Sequence, residues 1–186
     1  MAGSDSDRLH EAPEEVRAPQ QLAAPVPAPL APVARLAGQV GNRAMGRAIS
    51  RMRDGEGILA DGSVHPDVEA AIAAHRGGGS PLPRQLAERF SGSLGGSLHD
   101  VRVHTGTSAD ALARAVSARA FATGTDIFFA HGEYRPGTAG GDELIAHEVA
   151  HTEQQRGAPV AGPMTVSQPG DPLEREADHV ARGLVG

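Results

Sequence analysis

The five residues His147-Glu148-Val149-Ala150-His151 have the types and the spacing that a metal hydrolase needs. On a helix, residues four apart share a face, about one turn along the axis. His147 and His151 can therefore aim both imidazoles at one ion, with Glu148 beside them to work on a metal-activated water. With 9 His in 186 residues, chance supplies roughly 0.03 copies of His-Glu-x-x-His, so the motif weighs more than two solvated histidines would. A catalytic zinc takes three protein ligands and leaves a fourth position to water. The third is sought in Glu174-Arg175-Glu176-Ala177-Asp178. Glu174 and Asp178 share a helical face, whereas Glu176 points elsewhere. Glu174 is taken as the third ligand, and Asp178 as the acceptor that fixes the ring of one ligand histidine. Glu176 is the rival if the helix register differs. Zinc lowers the pKa of water to about 7, and Glu148 would take the proton as general base and return it to the leaving amine. Candidates to steady the oxyanion are Tyr134, His131, His179 and His104. Tyr134, the single tyrosine, stands just before the site helix and is placed with the catalytic group, against an equal case for simple packing.

Composition narrows the chemistry. The chain has no Cys, which removes disulfides, thiolate catalysis and Cys-type zinc sites, so any metal must be held by His and carboxylates. A net charge of −6 without a Lys/Arg block argues against nucleic acid as a partner. No stretch approaches the roughly 18 apolar residues of a membrane span, and the acidic start from Met1 to Glu15 lacks the parts of a signal peptide. Aromatic residues are 3% of the total, so the core must be small and aliphatic.

The elements that position the motif are then read along the chain. Residues 1–34, with repeated prolines, read as a disordered leader. Residues 35–79 form a helical N-terminal segment, with helices near 34–53 and from Pro66 to His75, and the arginines of the first as a solvated face. Gly77-Gly78-Gly79 marks the boundary to a core of residues 80–186. There a helix is expected over Pro83–Phe90, a strand over Leu98–His104, and a helix over Ser108–Ala118 capped by Thr107 or Ser108. A strand or hairpin follows over Phe121–Phe129, then a loop over His131–Gly141, the site helix over about 142–155, and a last helix from Asp171-Pro172 to about Gly183. The fold class is α+β, mostly helical.

The arrangement His147-Glu148-x-x-His151 followed by Glu174-x-x-x-Asp178 resembles that of gluzincin zinc metallopeptidases. The longer text is similar to the core domain of proteins linked to extracellular contractile injection systems. It is carried by Pro81-Leu82-Pro83, Val101-Arg102-Val103-His104-Thr105, Ala120-Phe121-Ala122-Thr123-Gly124 and His147 through Gln155, over about residues 55–186. The resemblance implies a small minigluzincin-like core: a site helix, a glutamate helix behind it, and an edge strand above, assigned to Thr125–Phe129, where an extended substrate could add. Leu173 stands where Asn or Gly is common in the wider group. The expected function is a zinc-dependent metalloendopeptidase acting on polypeptide, either injection-system cargo or toxin, or its own leader. No toxin region follows, so the target is expected in trans or in that leader. The other reading is a non-catalytic, zinc-stabilised cargo-loading or docking module. The expected location is the bacterial cytoplasm, or export through an injection system.

Overall fold

The computed structural model describes residues 43–156, 164 and 171–185. The Pro-rich leader and the start of the first helix lie outside them. Among the described residues there are six helices and one four-stranded sheet, an α+β fold as expected. The helices are α1 (43–53), α2 (Pro66–His75), α3 (Arg84–Leu94), α4 (Thr107–Ala115), α5 (Ala139–Arg156) and α6 (Pro172–Val185). The strands are β1 (Ser80–Pro81), β2 (Arg102–His104), β3 (Ala120–Thr123) and β4 (Asp126–Phe129).

The sheet order is β1-β2-β4-β3, with β2 and β4 parallel and the other pairs antiparallel. Strand side chains alternate between faces. Ile127 and Phe129 join a cluster with Leu86, Phe90, Ile145 and Val149 from α3 and α5. Phe128 points the other way, into a cluster with Ala44, Val68, Ile72 and Leu112 from α1, α2 and α4. Helices thus cover both faces, and every residue of β4 is buried.

This corrects the edge-strand assignment. An Ile-Phe-Phe run buried on both faces belongs inside a sheet, where both neighbours are paired. Asp126–Phe129 is internal, and the edge beside it is β3.

Other boundaries also moved. The strand expected over Leu98–His104 shortens to Arg102–His104, because the amide of Val101 turns back onto the carbonyl of Leu98. The apolar alternation there reports burial of Leu98 and Val101 in a turn. Helix α4 starts after Gly106, at φ 102°, with no side-chain cap, where Thr107 or Ser108 was expected to cap it. Arg47 and Arg51 of α1 do not form a purely solvated face: both pair with Asp67 of α2, at 2.8 and 3.3 Å.

The N-terminal helices are joined to the sheet by a polar clasp. The buried Asp126 carboxylate accepts from the amide of Gly77 at 2.8 Å and lies 2.7 Å from His104 Nε2. His104 stacks on Phe128 with ring centroids 4.2 Å apart. His104 therefore has a structural position, and its two partners account for it.

Candidate metal centre

Helix α5 carries the motif, and its start explains how it is held. It begins at Ala139, inside the stretch expected to be a loop. Gly140 and Gly141 disfavour a helix interior, but the hydroxyl of Thr138 caps the first turn by accepting from the Gly141 amide at 3.2 Å. A Cβ on Gly141 would run into the carbonyl of Arg135, so glycine there lets the preceding loop fold against the helix. Asp142, expected in the first turn, is buried and accepts from Arg89 of α3 and from the amide of Gly137, each at 2.8 Å. Burial alone would raise its pKa, and these two donors hold it below the ordinary carboxylate value.

The other end of α5 is fixed by Gln155. Its side-chain oxygen accepts from the Gly124 amide at 2.7 Å, and its nitrogen donates to the Ala122 carbonyl at 3.3 Å. Gln155 lies one turn beyond His151 on the same face. It therefore sets the hairpin, and with it the edge strand β3, alongside the row of histidines.

Helix α6 packs on α5 and brings Glu174 to that row. His147 Nε2 lies 3.3 Å from Glu174 Oε2, His151 Nε2 lies 3.1 Å from Glu174 Oε1, and the two Nε2 atoms are 3.1 Å apart. All three residues are half-buried, and they form a group able to hold a metal ion. Asp178 Oδ1 sits 3.1 Å from His147 Nδ1, one turn along α6 from Glu174. Glu176 faces away and accepts from Gln154 at 3.2 Å. Of the two rival glutamates, the one beside the histidines is Glu174.

The donor set fits zinc by two tests. Asp178 Oδ1, an acceptor, lies against His147 Nδ1, which favours the tautomer that presents the lone pair of Nε2. That places a lone pair close to carboxylate oxygens, which a shared cation would reconcile. The 3.1 Å between the two Nε2 atoms is also close to the roughly 3.3 Å edge of a tetrahedron with zinc–ligand bonds of about 2.0–2.1 Å.

Glu148 is 4% exposed, and its Oε2 has no hydrogen-bond partner among the described residues. Burial, with the neighbouring Glu174 charge adding to it, pushes its pKa up from 4.5 to about 8. An orphaned buried carboxyl oxygen beside three ligand atoms suits a group that must exchange a proton.

The remaining candidates make other contacts. Tyr134 packs on Phe129, centroids 5.1 Å apart, and burial raises its pKa. Its charged neighbour is Asp142, in the first turn of α5. The backbone of His131 donates to Asp110 at 2.8 Å, in the loop before α5. His179 is exposed on α6. The cluster assembles from His147, His151, Glu174 and Asp178 without them. Gln154 was missed: its Oε1 lies 2.8 Å from His151 Nδ1. Its position three residues after His151 was the available signal, since such a pair meets on one helix face.

Fold and site together define a helix-covered α+β domain with a His₂Glu cluster at the packed pair α5–α6. Residues 81–159 match the family model of the eCIS core domain. The match spans the sheet and the site helix and ends before α6, a narrower stretch than the 55–186 of the resemblance. No curated protein and no solved structure matches the chain.

Proposed function

We propose that this chain is a zinc-dependent metallopeptidase of gluzincin type, acting on polypeptide in the setting of a contractile injection system. The carrying observation is the meeting of His147 Nε2, His151 Nε2 and the Glu174 carboxylate at 3.1–3.3 Å, beside the buried Glu148. The match of residues 81–159 to the eCIS core domain model supports the injection-system setting, with cargo, toxin or the chain's own leader as the substrate. No described helix is long and apolar enough to cross a membrane.

His147, His151 and Glu174 would hold the ion, and Asp178 and Gln154 would hold the two imidazoles. When bound, zinc supplies a Lewis acid for the scissile carbonyl and brings the pKa of water to about 7. With a cation bound beside it to favour its ionised form, Glu148 would take the proton of the attacking water on its buried carboxylate and give it to the leaving amine. The edge strand β3 supports a polypeptide substrate. In an antiparallel pair alternate residues turn their amide groups outward. The Arg119 carbonyl accepts from the Ala130 amide, which puts Ala120 and Ala122 out of register with the ladder bonds. Ala122 already offers its carbonyl outward, to Gln155. An extended chain could pair along the same edge.

The test is incubation of zinc-loaded protein with casein as an unstructured probe, read by mass spectrometry, with the protein's own intact mass followed in parallel. Fragments that appear with zinc and vanish with chelator support the reading. Persistent absence of both cleavages, with zinc still raising the melting temperature, would replace it with a zinc-stabilised docking module.

A further inference from the structure

Gln154 joins the two helices of the metal centre, and its amide can be oriented from its partners. The side-chain nitrogen lies 3.2 Å from the Leu173 carbonyl and 3.2 Å from Glu176 Oε2, both on α6. Both are acceptors only, so the NH₂ end must face them. A flipped amide would set its oxygen against two oxygens and lose both bonds. The amide oxygen is thereby turned to His151 Nδ1, at 2.8 Å. An amide oxygen accepts and cannot donate, so it pairs with the Nδ1–H form of neutral His151, the form that leaves the lone pair on Nε2. That Nε2 faces Glu174 Oε1 and His147 Nε2, each at 3.1 Å.

We propose that Gln154 is a positioning residue through which α6 selects the metal-binding tautomer of His151 on α5. Docking of the glutamate helix then does two things at once: it brings Glu174 to the ion and readies the second histidine through Leu173 and Glu176. The two histidines are held differently, His147 by the Asp178 carboxylate and His151 by a neutral amide. Glu176, unused as a ligand, has a role as an anchor of that amide.

This rests on the zinc reading of the site, but its first test does not. In zinc-free protein with neutral imidazoles, ¹⁵N chemical shifts report the tautomer of His151 directly. The wild type is expected to show the Nδ1–H form, and Gln154→Leu a mixture with Nε2–H. The second test is zinc affinity by competition with a chromophoric chelator. Gln154→Leu is expected to weaken binding about 10- to 100-fold. Glu176→Ala, which leaves the Leu173 carbonyl in place, is expected to weaken it less than Gln154→Leu, and zinc-free melting curves check that both variants fold. A wild-type Nε2–H tautomer, or the same tautomer in both proteins, overturns the proposal. So does zinc binding by Gln154→Leu equal to wild type. Failure of the wild type to bind zinc would instead sink the metallopeptidase reading and leave the tautomer result standing.

Discussion

Glu148→Gln is expected to keep zinc near one equivalent and to lower peptide hydrolysis by about 10²–10⁴-fold, the usual worth of a positioned general acid–base group. Glu148 is not among the three residues whose ligand atoms converge, so its replacement spares the donor set. Glutamine has nearly the same shape and cannot take a proton at neutral pH. The loss should fall on kcat with little change in KM, because the carboxylate is needed in proton transfer and not in holding the chain along β3. Metal content and cleavage rate measured on the same preparation separate the two roles. Equal rates for variant and wild type would remove Glu148 from the mechanism.

The second large effect is on the stability of the zinc-free protein. In the folded chain the pKa of Glu148 is pushed from 4.5 to about 8, by burial first and by Glu174 second. Below the ordinary value both folded and unfolded states carry the proton, and the group makes no difference. As pH rises, the unfolded chain releases the proton while the folded one keeps it. The unfolded state then binds fewer protons, so stability falls until the folded group also ionises near pH 8. A rise from 4.5 to about 8 corresponds to on the order of 5 kcal/mol. The melting temperature of zinc-free protein should therefore drop steadily between about pH 5 and 8, and Glu148→Gln should flatten the profile and be the more stable above neutrality. Added zinc should oppose the drop, since a ligand that binds the folded state stabilises it. A wild-type profile parallel to that of Glu148→Gln would show that the carboxyl is not held in its protonated form.

These expectations show which parts of the molecule were legible in the sequence. The meeting of His147, His151 and Glu174 was readable because it follows from helix periodicity. His147 with His151, and Glu174 with Asp178, are each four apart, and two such faces need only pack together. The sheet order was not readable. Asp126-Ile127-Phe128-Phe129 shows that a strand is apolar, but not which strands flank it. That was settled by β2 pairing in parallel on its far side, across α4 and β3. The start of α5 was hidden because Gly140 and Gly141 signal a loop, while the Thr138 cap and the anchored Asp142 outweigh their helix cost. Gln154 was hidden for another reason. A polar residue on a helix surface has no role until α6 presents Leu173 and Glu176 to it. Tyr134, the single tyrosine, packs its ring on Phe129.

In the proposed function α5 and α6 together hold one zinc ion through His147, His151 and Glu174. Its most direct test is the metal content of purified, untagged protein by elemental mass spectrometry, beside Glu174→Ala and Glu176→Ala. Close to one zinc per chain is expected in the wild type and in Glu176→Ala, and its loss in Glu174→Ala. No zinc in the wild type after reconstitution, or zinc retained by Glu174→Ala and lost by Glu176→Ala, would contradict it.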